Sequence, residues 1–271
     1  MIAFAANSLL CRLALRDGAI DAASFTTLRL ASGALALWGL VSLRRRGRAR
    51  VEADWLAAAA LFAYAAAFSL AYRSLDAATG ALLLFGAVQA SMVALGLRAG
   101  ERLATAQLAG MGLALGGLVG LLAPGLSAPP LAGASLMLAA GAAWGVYSWR
   151  GRRGLGDPVA ATAGNFVRAL PFTLAWSVAV AAGQGLPATL DAVAVACAVA
   201  SGALASGGGY ALWYAALPGM RATTAATAQL SVPVLTALAG IAWLGEPLTL
   251  RLVLAAGAIL GGIALVVRLR R

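Results

Sequence analysis

Apolar runs of about twenty residues follow one another along this chain, separated by short stretches that hold its charges and turn residues. The runs are rich in Ala, Leu and Gly and lack period-two alternation, which predicts helices rather than strands. A helix crossing the hydrocarbon core of a bilayer needs roughly 20 apolar residues. Only helices and closed barrels satisfy their backbone groups in lipid. The pattern predicts ten transmembrane helices, over 1–16, 22–43, 54–73, 77–97, 103–122, 131–149, 158–182, 191–214, 219–243 and 248–268. Between them lie breakers such as Pro124-Gly125, Pro129-Pro130, Pro218-Gly219 and Glu246-Pro247. The N-terminal stretch could pass for a signal-peptide core. No basic segment precedes it and no convincing cleavage site follows, so it reads as a first span.

One part of the pattern occurs twice. GERLATAQLAGMGLALGG begins at Gly100, and GEPLTLRLVLAAGAILGG begins at Gly245. Without a gap, Glu101 aligns with Glu246, Leu103 with Leu248, Gly112 with Gly257, Gly116 with Gly261 and Gly117 with Gly262, at a constant offset of 145. Upstream, Tyr72 to Leu75 resembles Tyr214 to Leu217, and Arg29 resembles Arg168. The chain thus divides into a five-helix repeat over 1–125 and a second over 126–271. An odd number of spans per repeat forces the two halves into opposite orientations. Inverted repeats typify secondary transporters, with a substrate site near the bilayer midplane between the halves.

Composition narrows this further. The chain is 62% hydrophobic and only 11% charged, less than half the charge of an ordinary soluble domain at about 25%. The net charge of +11 comes entirely from Arg, clustered between apolar runs. Membrane orientation explains such clusters better than nucleic acid does. One set of alternate loops, with the C-terminus, holds fourteen arginines, among them Arg44, Arg98, Arg150 and Arg221; the other holds Arg16, Arg73 and Arg251. The first set is therefore expected to be cytoplasmic, with both termini inside. Cys11 and Cys197 offer neither a disulfide framework nor metal spacing, and there is no His. No cofactor and no metal are expected. The expected partners are a small-molecule substrate and the lipid bilayer, with no nucleic acid, and the expected state is a monomer.

A span, then Gly-Glu, a short turn and a Gly-rich span, occurring twice, resembles the EamA-type branch of the drug/metabolite transporter superfamily. So do an Arg early in the second span of each half and Trp144-Gly145. The resemblance covers the whole chain. It implies ten helices in two repeats, a bacterial inner membrane location, and export or exchange of small metabolites by alternating access. The YddG-type aromatic amino-acid exporters are one such branch. The chain departs from the pattern in its first span, where Phe4-Ala5-Ala6-Asn7 replaces the usual Trp-Gly, and in its fourth span, which lacks the Pro that Pro233 supplies in the ninth.

Ionisable groups inside a membrane are functional candidates by default. All nine acids lie in loops or at span ends. A titrating carboxylate beside the cargo is thus missing, which points to facilitated diffusion or exchange; a proton-coupled exporter is the alternative. Arg29 and Arg168 have two readings, an ion pair or contact with an anionic cargo. Under inversion, Arg29 shares one side of the membrane with Glu246, and Arg168 shares the other with Glu101. Two pseudo-symmetric gate pairs follow as the expectation. For the substrate cavity the candidates are Phe68, Phe85, Gln89, Trp144, Tyr147, Tyr210, Trp213, Tyr214, Thr227 and Gln229. Aromatics with neutral polar groups suit a moderately apolar metabolite such as an amino acid. Interfacial belts and helix–helix hydrogen bonds are the plainer explanations for several of them. The stripes Gly112/Gly116 and Gly257/Gly261 predict that spans 5 and 10 pack together. Pro233 is expected to kink span 9 or free a carbonyl. An intramembrane enzyme or a channel is disfavoured, since neither paired acids nor a charged ring lies in the spans.

Overall fold

In the computed structural model the described residues are 1–45, 54–100, 104–125, 127–151, 157–184, 191–216 and 228–268. Their regular structure is all helical, with no strand among them. In chain order the helices are α1 (Ile2–Leu15), α2 (Ala22–Arg45), α3 (Trp55–Ala71), α4 (Ala77–Arg98), α5 (Thr105–Leu122), α6 (Leu131–Gly151) and α7 (Pro158–Gln184). Next comes α8, which is α-helical over Ala192–Ala200, π-helical over Ser201–Gly208 and α-helical again over Gly209–Ala216. Two further helices follow, α9 (Ser231–Leu244) and α10 (Leu250–Arg268). Seven of these are long and apolar enough to cross a membrane; α1, α3 and α9 are shorter apolar helices. Start signals are conventional: Asp54 and Asp191 accept backbone N–H bonds from the first turns of α3 and α8. Large apolar side chains on the outer faces, such as Leu35, Val119, Leu212 and Trp243, are exposed, as lipid-facing positions require.

Helices α5 and α10 pack directly on each other. The buried positions of α5 include Gln107, Gly110, Ala114, Gly117, Leu118 and Leu121. Shifted by 145, these become Leu252, Ala255, Ile259, Gly262, Ile263 and Val266, and all six are buried in α10. The contact is also reciprocal. A side chain at Gly117 would meet Ile259, and one at Gly262 would meet Ala114. The glycines that permit this approach are Gly110, Gly117 and Gly262. The expected stripe is corrected: Gly112, Gly116, Gly257 and Gly261 have open space where a side chain would sit. They lie away from the shared face of each helix, so the spacing was right and the phase was not.

Helices α4 and α9 end alike. Gly100 and Gly245 take positive φ, +89° and +67°, a backbone that L side chains adopt at a cost and glycine adopts freely. After α9 this turn directs Glu246 back into the protein. The sequence predicts that Pro233 kinks its helix or frees a carbonyl. Pro233 sits in the first turn of α9, and the helix is interrupted by a turn at Leu230. Its missing N–H leaves the Gln229 carbonyl without its usual donor. The proline inside a long helix is Pro171 of α7.

Candidate functional site

Two clusters of charge are buried in different ways. The first lies near the middle of the bundle. Arg29 is on the third turn of α2, about 10 Å from its start at 1.5 Å per residue, and is 1% exposed. Its Nη2 donates to the Tyr64 hydroxyl of α3 at 3.1 Å. Its guanidinium carbon lies 5.3 Å from the Tyr64 ring centroid and 5.0 Å from that of Phe68. Asn7 of α1 also donates to the Tyr64 hydroxyl, at 3.4 Å, and accepts from Ser201 of α8. One polar chain thus links four helices, from Ser201 through Asn7 and Tyr64 to Arg29. Among the described residues no carboxylate pairs with Arg29, and its Nε and Nη1 have no hydrogen-bond partner.

Aromatic rings surround this chain. Trp144 lies 4.8 Å from Tyr64, 5.2 Å from Tyr147 and 5.4 Å from Tyr210, stacked on the last. Phe4 joins Tyr210 and Trp213, at 5.7 and 6.3 Å. Ser201 opens the π-helical segment of α8. Gly202 beside it lets α8 press on the Arg29 carbonyl and Ser32. π-helical turns inside α-helices recur at functional sites.

The second cluster sits at one end of the bundle, where α1 ends, α4 begins and α9 turns into α10. Glu246 accepts N–H bonds from Ala77 at 2.7 and 2.9 Å and from Ala78 at 3.4 Å, so it caps the positive end of α4. Arg12 lies 3.6 Å from Glu246 and 3.4 Å from Asp76, and donates to the carbonyls of Tyr72 and Arg73. Gly240 makes room for the Glu246 carboxylate. A cavity of about 330 Å³ lies against this cluster, lined by Asp76, Thr79, Ser127, Glu246 and Thr249 among others. Burial holds the Glu246 carboxyl above its ordinary pKa, and the nearby Asp76 adds to this; the Ala77 and Ala78 amides and Arg12 oppose it. At the opposite end, Asp54 pairs with Arg150, whose hydrogen bond holds the Asp54 carboxyl below its ordinary pKa.

The expected pairing of Arg29 with Glu246 is therefore corrected. Arg29 lies too deep, on Tyr64, and Glu246 finds amides and Arg12 at the end of the spans. Arg168 lies over Trp55, 5.3 Å from its ring centroid; its expected partner Glu101 is outside the described residues. Of the cavity candidates, Phe68 lies against Arg29, and Trp144, Tyr147, Tyr210 and Trp213 belong to the chain of ring contacts that reaches it through Tyr64. Phe85 packs against the apolar core. Gln89 lines a narrow crevice between α4, α5 and α10 with Met111 and Ile263. Gln229 lies beside the break before α9. Thr227 and the side chain of Tyr214 are outside the described residues. Tyr64 belongs to the aromatics of span 3 that suit a cavity, but Asn7 and Ser201 were not singled out from the sequence as site residues. The signal for Asn7 was present: it occupies the segment where the first span departs from the family pattern.

A model described as the EamA-like transporter family matches residues 131–268. A protein of Pseudomonas aeruginosa described as "Uncharacterized protein PA1977" is 60% identical over 266 residues, covering 98% of this chain and 91% of that protein. A crystal structure described as that of a "protein" aligns with a TM-score of 0.67 at 23% identity, over 100% of this chain and 98% of the other. That likeness is one of fold.

Proposed function

The chain belongs to the EamA-like transporter family, and from that premise we propose that it exports or exchanges small metabolites, with amino acids of aromatic or other apolar character as the cargo. It is a multi-pass membrane transporter of the drug/metabolite type. The proposed architecture is ten spans in two inverted five-helix repeats, 1–125 and 126–271, with both termini cytoplasmic in a bacterial inner membrane. The matched burial of α5 and α10 supports the twofold relation, and the arginine distribution supports the orientation.

The observation that carries the cargo assignment is the cluster around Arg29. It joins α1, α2, α3, α6 and α8 near the middle of their lengths, where a transporter of this architecture holds its substrate. Aromatic faces there offer area to an apolar body, and a few polar groups fix its orientation. Alternating access would open this cluster to one side at a time. No acid among the described residues joins it, which supports exchange or facilitated diffusion without proton coupling. Uptake and efflux of labelled phenylalanine, tryptophan and leucine in proteoliposomes of the purified protein tests the assignment. Flux without a pH gradient is expected. Accumulation that requires an imposed gradient would replace this reading with a proton-coupled one, and no flux of any amino acid would remove it.

A further inference from the structure

Arg29 is an unusual group to find where it is. A cation taken from water into a low-dielectric interior loses hydration that relaxation does not restore, and proteins normally recover this with a carboxylate. Here none is paired with it among the described residues. Tyr64 takes one of the five guanidinium N–H groups. The rings of Tyr64 and Phe68 add cation–π attraction, which offsets part of the cost of burying the charge. Against this stand the bare charge and the unpartnered Nε and Nη1, each a buried donor that has lost its water and gained no acceptor. The balance is unfavourable unless something else arrives.

We infer that Arg29 is the recognition site for a carboxylate on the transported molecule, so that cargo must be a small monocarboxylate with an apolar body. The inference rests on the transporter reading and deepens it by naming the group that is recognised. A carboxylate matches the planar fork of a guanidinium and accepts two of its N–H groups at once. It also neutralises the charge. The apolar body is then met by Trp144, Tyr147 and Tyr210, which continue the ring cluster outward from Tyr64. Among the described residues no carboxylate in the cluster waits for an ammonium group. The amino group of an amino acid is therefore tolerated, against aromatic faces and the Asn7–Ser201 pair, rather than required.

Three compounds sharing one benzyl body separate the possibilities: 3-phenylpropionate, phenylalanine and phenylalaninamide. Binding is read as stabilisation of the purified protein against heat, because a ligand selective for the folded state raises its stability by mass action. Flux is read in proteoliposomes. Stabilisation by the two carboxylates and at least tenfold weaker stabilisation by the amide is expected, with both effects lost in Arg29→Gln and partly kept in Arg29→Lys. The inference is overturned if the amide stabilises as well as the acids, if none of the three does, or if R29Q keeps the carboxylate effect. Should R29Q not fold, the wild-type comparison of acid with amide decides alone. Carboxylate-dependent stabilisation without flux would sink the transport reading and leave only carboxylate recognition at Arg29 standing. Flux of phenylalaninamide at the rate of phenylalanine would do the reverse.

Discussion

Glu246 and Arg29 are both ionisable, both nearly removed from solvent, and both set among helices from more than one part of the chain. Their surroundings differ in kind. Around Glu246 the protein supplies what the charge needs: two amides at the start of α4, and Arg12. Around Arg29 it supplies a hydroxyl and two ring faces and leaves donors unused. A satisfied buried charge holds elements together. An unsatisfied one leaves its free energy available to something that is not part of the chain. The contrast separates a clamp from a binding site, and it can be broken by experiment.

The largest effect should follow Glu246→Ala. It leaves the Ala77 and Ala78 amides and Arg12 without their acceptor, and breaking a buried pair from one side typically costs about 3–5 kcal/mol. Thermal unfolding in detergent should fall accordingly. Arg29→Gln should shift the same transition by about 1 kcal/mol, the centre of the range for single substitutions, because the buried charge disappears along with its contacts. Equal destabilisation by both variants would erase the distinction between clamp and site.

A second test reverses the clamp. If Glu246 served only as the counter-charge of Arg12, then Arg12→Glu combined with Glu246→Arg would restore stability. Because Glu246 also caps α4, a cation there would face the positive end of the helix dipole, an opposition of about 0.3–1 kcal/mol, up to ~2 kcal/mol when partly buried. The double variant should therefore remain at least as unstable as Glu246→Ala. Full recovery would show that the ion pair alone matters and that the amides are incidental.

How far the sequence carries this contrast is instructive. Helix positions were legible because hydrophobic length is read directly against bilayer thickness: predicted 22–43, 77–97 and 131–149 became Ala22–Arg45, Ala77–Arg98 and Leu131–Gly151. The pairing of α5 with α10 was legible from the repeat, but its phase was not, since glycines fall on more than one face of each helix and only packing chooses between them. The aromatic ring around the site was legible as composition. The partner of Arg29 was not. Sharing a membrane side made Glu246 available in principle, but depth along the helix decides contact, and the turn at Gly245 sends Glu246 to α4 instead. The role of Asn7 depended on three other helices, and its trace in the sequence is only the departure of the first span from the family pattern.

A smaller effect is expected at Tyr64, which holds the guanidinium at Nη2 while Nε and Nη1 stay without partners. Tyr64→Phe removes the hydroxyl that accepts from Arg29 and from Asn7, and water entering the opened cluster takes over most of those bonds in the ligand-free protein. The affinity for 3-phenylpropionate should fall several-fold, while the unfolding temperature changes little. The reverse pattern, lower stability with unchanged affinity, would move Tyr64 to the side of the clamp.

The smallest effect is a slope rather than a loss. The folded protein holds Glu246 above its ordinary pKa, chiefly by burial. Between the ordinary and the raised value the folded state therefore binds more protons at this site than the unfolded chain does. Stability from this group is complete below the window and declines as pH rises through it. Asp54, held low by Arg150, has the opposite sign: its contribution is present above the ordinary carboxylate range and is lost as pH falls. Difference curves against the neutral variants isolate each. Wild type minus Glu246→Gln should grow as pH falls from neutrality towards the ordinary carboxylate range, with a slope below the roughly 1.4 kcal/mol per pH that one fully exchanged proton sets as its ceiling. Wild type minus Asp54→Asn should stay flat there and shrink only as pH falls through and below the ordinary carboxylate range. If the Glu246 curve slopes like that of Asp54, the amides and Arg12 outweigh burial, and the clamp is a charged one at every pH where the protein is folded.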